Sequence, residues 1–148
     1  MKVLYFAYGS NMLSKRMINR CPTSIKRGNS KIKYFKLVWD KLGKDGSGKC
    51  NIENDTNSSV FGVLWVITVI DLINLAKIEG GYEPIFVDCW CDEVLYRNVV
   101  TFQRKEIVDI LPTIEYHSIV MEGAIENKLP RDYIEKMKTV KTQPKVII

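Results

Sequence analysis

Histidine is almost missing from this sequence, acidic side chains are outnumbered, and long apolar runs do not occur. His117 is the only histidine, and it stands beside four cysteines, Cys21, Cys50, Cys89 and Cys91. Cys89-x-Cys91 lacks the two-residue spacer common in zinc ligand pairs, and no second pair accompanies it, so a zinc site is excluded. The same four thiols do not make a disulfide framework, and reduced cysteines in the cytoplasm are expected. No apolar run approaches the ~20 residues of a membrane span, so no membrane contact is expected. Nor is there a secretory leader pattern, because Lys2 leads into only a few apolar residues. The 17 acidic residues face 22 Lys and Arg, a net charge of +5. That excess raises nucleic acid as a partner. However, Lys26-Arg27, Lys31, Lys33, Lys36, Lys41, Lys44 and Lys49 are scattered. No tract interleaves them with aromatics in an RNA-binding pattern. The charge reads as a solvated basic surface that helps an anionic substrate approach, with no nucleic acid involved.

What is present suits one soluble globular domain over residues 1–148, with 46% hydrophobic and 26% charged residues. The chain is organised around its opening. Lys2 to Ala7 is short, apolar and aromatic, as in a buried strand. Tyr8-Gly9-Ser10-Asn11 cuts it with residue types that permit tight turns. Ser14 then reads as the N-cap of a helix reaching Arg20. A small-residue loop between strand and helix leaves backbone N–H groups free for a carboxylate, a phosphate or a developing oxyanion.

Beyond Arg20-Cys21-Pro22, which stops the helix, Gly28-Asn29 reads as a turn. Ile32 to Trp39 alternates as a strand, with Ile32, Tyr34 and Lys36 on one face and Lys33, Phe35 and Leu37 on the other. Lys41 to Lys49 is a Gly- and Lys-rich hairpin connection. Gly43, Gly48 and Lys49 have the spacing of a phosphate-binding P-loop, but Cys50 stands where Ser or Thr should hold magnesium. The following Cys50 to Asp55 forms no amphipathic helix, so nucleotide hydrolysis is excluded. Val60 to Ile67 is a β-branched and aromatic central strand, and Gly62 inside it marks a bulge or a close approach. Thr68 caps the next helix in a loose capping box with Asp71, and Val69, Leu72, Leu75 and Ala76 form its apolar face. Glu79-Gly80-Gly81 breaks that helix. A carboxylate there opposes the negative end of the helix dipole, and shielding from water would raise its pKa.

Ile85 to Cys91 and Leu95 to Gln103 read as antiparallel strands joined by Asp92-Glu93, with Cys89 and Cys91 packed on one face. A helix from about Thr113 to Asn127 follows Pro112, with His117 on the stripe of Ile114, Met121 and Ala124. That placement makes His117 a packed core residue rather than a catalyst. Leu129, Tyr133, Met137 and Val140 mark a last short helix. Strands that do not alternate regularly with helices exclude a doubly wound fold.

The string Tyr5-Phe6-Ala7-Tyr8-Gly9-Ser10-Asn11-Met12 resembles the signature of the gamma-glutamyl cyclotransferase family (the avirulence-induced-gene-like fold). Gly62-Val63-Leu64-Trp65, Leu72, Leu75 and Glu79-Gly80 follow in the family's order. So do Arg20-Cys21-Pro22, Gly123-Ala124, Asn127, Leu129-Pro130 and Tyr133. The resemblance spans nearly the whole chain. It implies an α+β fold, a small mixed β-barrel flanked by helices with the pocket at its mouth. It implies Glu79 as general acid/base, preferred over nearby Glu83. Tyr5, Phe6, Ala7, Tyr8, Gly9, Ser10, Asn11 and Phe102 would bind a small gamma-glutamyl substrate. Phe86 and Phe102 stand where relatives often carry tyrosines, so the phenol is lost while the ring stays. The implied reaction is attack of the substrate's own α-amino group on its γ-carbonyl, releasing 5-oxoproline from gamma-glutamyl amino acids or amides. It needs no metal, covalent nucleophile or organic cofactor, and a monomer or homodimer suffices. A gamma-glutamylamine cyclotransferase and a non-catalytic small-ligand module of the same fold are the alternatives.

Overall fold

Five strands close into a barrel in the order β1-β3-β2-β4-β5. They are β1 (Lys2–Ala7), β2 (Ile25–Leu42), β3 (Gly48–Thr68), β4 (Glu83–Cys91) and β5 (Val94–Gln103). The computed structural model describes residues 1–145. All neighbours pair antiparallel except β1 and β5, which meet in parallel at Tyr5 and Val100 and make the barrel mixed. Helices α1 (Ser14–Arg20), α2 (Val69–Ile78), α3 (Ile114–Glu126) and α4 (Arg131–Lys138) flank it. None of them is long and apolar enough to cross a membrane.

The core is built from the opening strand and the second half of β3. Phe6, Val60, Val63, Leu64, Trp65 and Ile67 are fully buried with Ile32, Leu75 and Val99. β1 lies along β3 from the Lys2–Thr68 pair to the Ala7–Val63 pair. Gly62 provides the close approach: a Cβ there would land on the Ala7 carbonyl oxygen. No bulge occurs at Gly62, since the β2–β3 register runs unbroken from Gly28 to Lys33.

Several local expectations need correction. Gly28 and Asn29 are not a turn but lie inside β2, where a register shift and a φ of +152° at Gly28 mark a bulge. A second shift at Tyr34, whose φ is +74°, breaks the alternation and turns that ring to solvent while Ile32 stays buried. Cys50 to Asp55 belongs to β3, paired with β2 across a hairpin closed at Leu42 and Gly48. The P-loop spacing thus sits on a strand–turn–strand unit, with no helix N-terminus to receive a phosphate. Ser14 does not cap α1. Leu13 holds that position, and Ser14 donates through its N–H and Oγ to Glu126 Oε2 at 3.1 and 2.7 Å. On α2, Leu75 is buried as expected, but Ala76 faces solvent.

Other local readings hold. Thr68 Oγ accepts from the Asp71 N–H at 3.2 Å. Asp71 in turn accepts from the Thr23 N–H at 3.0 Å and from the Thr23 hydroxyl, so the cap also anchors the chain after α1. Asp92 and Glu93 take φ of +49° and +63°, the left-handed pair a tight hairpin needs. His117 is half-buried, donates from Nε2 to the Met137 carbonyl at 2.9 Å and packs on Trp39, although Ile114 of its expected stripe is exposed. Cys89 and Cys91 are buried free thiols.

The Gly62–β1 contact yields a stability prediction. Gly62→Ala must displace the β1 backbone, and overpacking of this kind costs roughly 1–3 kcal/mol. Chemical denaturation of the variant should show a loss in that range. A change below about 0.5 kcal/mol, the level of an ordinary surface substitution, would mean β1 is not clamped there.

Candidate active site

The barrel's pairing carries Tyr5 to the end of β1, and the loop Tyr8–Asn11 leaves from that point over the barrel mouth. Ser10–Met12 makes one 3-10 turn, closed by the Met12 N–H on the Gly9 carbonyl at 3.1 Å. Helix α3 holds this turn from behind. Asn127 Nδ2 donates to the Met12 carbonyl at 2.8 Å, and a Cβ at Gly123 would lie 2.8 Å from the Leu13 nitrogen. The N–H groups of Gly9, Ser10 and Asn11 have no protein acceptor among the described residues. They lie beside a small cavity of about 30 Å³ lined by Tyr5, Tyr8, Gly9, Ser10, Asn11, Cys50, Glu79, Tyr82, Phe102 and Tyr116.

Glu79 closes this cavity from the opposite side. Helix α2 ends at Ile78, and Glu79 is its C-cap, with its own N–H on the Leu75 carbonyl at 2.8 Å. Its Oε1 accepts from Asn11 Nδ2 at 2.8 Å and from Arg20 Nη1 at 2.9 Å. Arg20 also donates to Asn11 Oδ1 at 2.9 Å, closing a triangle of three side chains. Asn11 Nδ2 further reaches the Tyr5 hydroxyl at 3.1 Å. Glu79 Oε2 has no protein partner among the described residues, which leaves one carboxylate oxygen free for a proton. The carboxylate at this helix end is mostly shielded from water but not from charge. A guanidinium stands against the carboxylate, and both side chains are 19% exposed.

The remaining polar groups of the cavity are held neutral. Burial pushes the phenols of Tyr5, Tyr8, Tyr82 and Tyr116 well up from their usual value, and the Glu79 carboxylate adds to it for Tyr5, Tyr8 and Tyr82. The Cys50 thiol is pushed up to about 12 by burial. None of these is a thiolate or phenolate nucleophile at neutral pH. Glu79 is the one carboxyl group lining the cavity. Tyr82 donates to the Cys50 carbonyl at 2.5 Å, and Tyr116 accepts from the Cys50 N–H at 3.1 Å. The Tyr8 hydroxyl donates to the Phe102 carbonyl.

Of the residues singled out in the sequence, Tyr5, Tyr8, Gly9, Ser10, Asn11, Glu79 and Phe102 meet around this cavity. Phe6 and Ala7 do not line it. They are buried in the barrel wall, where the Phe6 carbonyl accepts from Thr101 Oγ at 2.8 Å. Phe86 is 72% exposed and lies away from the cavity. Glu83 lies exposed at the start of β4. Sequence reading missed Arg16, Arg20, Cys50, Tyr82 and Tyr116. A signal existed for the arginines: they are four apart on the helix that leaves the loop, so they share its face. Arg16 Nε donates to Ser10 Oγ at 3.1 Å.

Beside the cavity is a larger chamber of about 300 Å³, which shares Glu79, Tyr82 and Tyr116 with it. Together they form an inner space with free N–H donors and one carboxylate, and an outer space rich in cations.

The AIG2-like family model matches residues 59–137. The gamma-glutamylcyclotransferase of Homo sapiens is 31% identical over 152 residues, covering 93% of this chain and 78% of that protein. The gamma-glutamylcyclotransferase of Bos taurus is 30% identical over 146 residues with the same coverage. A solved structure of a gamma-glutamyl cyclotransferase superposes with a TM-score of 0.89 at 27% identity, covering 97% of this chain and 90% of that one. By these matches the chain belongs to the AIG2-like, gamma-glutamylcyclotransferase family.

Proposed function

We propose that this protein cyclises gamma-glutamyl compounds to 5-oxoproline, with Glu79 as general acid/base and the Gly9–Asn11 N–H groups as the oxyanion site. The observation that carries this reading is the inner cavity, whose lining brings together the Gly9–Asn11 loop, with N–H groups that have no protein acceptor among the described residues, and the Glu79 carboxylate with one unpartnered oxygen. An intramolecular acyl transfer needs those two features and little else. The substrate's α-ammonium cannot attack while protonated, so Glu79 Oε2 takes a proton from it. The freed nitrogen attacks the γ-carbonyl carbon, a new C–N bond forms, and the carbonyl oxygen becomes an oxyanion facing the loop. Of the ammonium's three protons one stays on the lactam nitrogen. Glu79 relays the others to the departing nitrogen as its bond to carbon breaks, and the amine leaves as an ammonium.

Two effects supply the rate. Folding the gamma-glutamyl chain into a near-attack shape reaches effective molarities of roughly 10⁵–10⁸ M. Each N–H donor placed at the oxyanion contributes about 2.7–4 kcal/mol. Arg20 and Asn11 position the carboxylate by holding Oε1, and Oε2 is left to serve as the base. The four buried free thiols fit a reducing compartment such as the cytoplasm.

Glu79→Gln should abolish turnover of gamma-glutamyl dipeptides, a loss of at least about 10³-fold, because the amide cannot take the ammonium proton. Substrate binding by calorimetry and the melting temperature should stay near wild type. Activity above a few per cent would remove Glu79 from the role.

The loop generates a second prediction. A Cβ at Gly9 would already lie 3.1 Å from Cys50 Cβ and 3.3 Å from the Tyr116 hydroxyl. Gly9→Val therefore intrudes on the cavity and should lower kcat/KM by about 10²-fold or more, the scale of one lost oxyanion donor. Ser10→Ala removes only the hydroxyl that accepts from Arg16 and should cost less than about tenfold, since one neutral hydrogen bond contributes about 0.5–1.5 kcal/mol. Equal, mild losses in steady-state assays would reduce the loop to a plain turn.

A further inference from the structure

The outer chamber carries more positive charge than the reaction requires. Arg16, Arg20, Lys41, Lys44 and Lys49 line it, against the carboxylates of Asp45 and Glu79. Arg20 is paired with Glu79 at 2.9 Å and Lys49 with Asp45 at 3.3 Å. Arg16, Lys41 and Lys44 have no carboxylate partner among the described residues. Lys41 is the most unusual of the three. It is only 5% exposed, yet its Nζ meets nothing more negative than the Gly80 carbonyl at 2.7 Å and the face of Tyr82, 4.5 Å from the ring centre. Burial and the neighbouring Arg104, Lys49 and Lys44 push its pKa down, while Glu79 opposes them. A buried, unpaired ammonium is costly, and such charges persist where an incoming group offsets them.

The chamber's size limits that group. A volume of about 300 Å³ is at the small end of ligand pockets, which excludes a nucleic-acid strand or a protein segment as occupant. Placement divides the three free cations. Arg16 is bonded to Ser10 of the proposed carbonyl-binding loop and suits the α-carboxylate of the gamma-glutamyl unit. Lys41 and Lys44 belong to the β2–β3 hairpin on the outer side, Lys44 with its Cε about 4.0 Å from where a Gly80 Cβ would stand. They remain for the leaving group. One carboxylate, as on an ordinary amino acid, answers only one of them.

Building on the cyclotransferase reading, we propose that this chamber selects gamma-glutamyl substrates whose leaving amine bears two carboxylates, as an acidic amino acid does. Lys41 and Lys44 are the specificity-determining residues. They act on substrate choice and not on the proton transfers at Glu79.

The test compares gamma-glutamyl-glutamate with its neutral isostere gamma-glutamyl-glutamine, following 5-oxoproline release at low salt. Wild-type kcat/KM should favour the diacid by about tenfold, and added salt should shrink the preference. Lys44→Gln, an exposed loop substitution, should cut the ratio about threefold, the scale of one partly screened charge pair. Lys44→Glu should cut it further. Calorimetry of both dipeptides with Glu79→Gln reads binding without turnover and should show the same preference. If both dipeptides release 5-oxoproline with equal kcat/KM, or the Lys44 variants leave the ratio unchanged, the proposal is overturned and the cyclotransferase reading stands. If neither releases 5-oxoproline, that reading fails. The calorimetry then decides the chamber alone: tighter binding of the diacid supports anion selection, and equal binding overturns it.

Discussion

Glu79 Oε1 accepts from Asn11 and from Arg20, which themselves are joined, and this triangle ties three separate elements into one site. Asn11 sits in the 3-10 turn after β1, Arg20 ends α1, and Glu79 caps α2. Each bond to the carboxylate is charge-assisted and partly shielded, so each contributes on the order of 1.5–3 kcal/mol. The consequence is geometric as much as energetic. Two donors hold Oε1, and one of them, Asn11, belongs to the loop that carries the free N–H groups, so carboxylate and loop are joined directly. Truncating any corner would loosen both halves of the site together, whereas Glu79→Gln keeps an oxygen that accepts both bonds.

The barrel exists to make that triangle possible. β1 must run beside β3 so that its loop reaches the end of α2, and Gly62 permits the closeness by leaving no Cβ against the Ala7 carbonyl. From outside, α3 presses Gly123 against Met12 and Leu13, and Asn127 bonds the Met12 carbonyl. The turn is therefore gripped on both sides. A loop so held offers its N–H groups without reorganising, which is the property an oxyanion site requires. The basic chamber shares Arg20 and Glu79 with the triangle and adds the hairpin residues Lys41, Lys44 and Lys49.

Much of this was legible in the chain because it is written locally. A buried apolar run, a Gly-Ser-Asn break and a glutamate at the end of a capped helix are short-range features, and each falls where expected. Thr68 caps α2, and Gly62 marks a close approach. What stayed hidden depends on tertiary placement. Tyr82 precedes β4 and Tyr116 lies on α3, and no local pattern links either of them to Cys50. The stretch from Glu53 to Ser59 in β3 is polar and partly or fully exposed, so its low β-propensity concealed a strand that pairing with β2 imposes. Gly28 misled for a related reason: a positive φ serves a bulge as well as a turn. Arg20 looked like the end of a helix, and its partner lies 59 positions away.

The central claim is that the attacking atom belongs to the substrate. The direct measurement is the fate of a gamma-glutamyl dipeptide acetylated on its α-nitrogen, run beside the unmodified dipeptide with products separated by chromatography. The unmodified compound should yield 5-oxoproline with no free glutamate as a primary product, and the acetylated one should not turn over. Glutamate appearing first, or cleavage of the acetylated compound, would contradict the account and make Glu79 the activator of a water molecule.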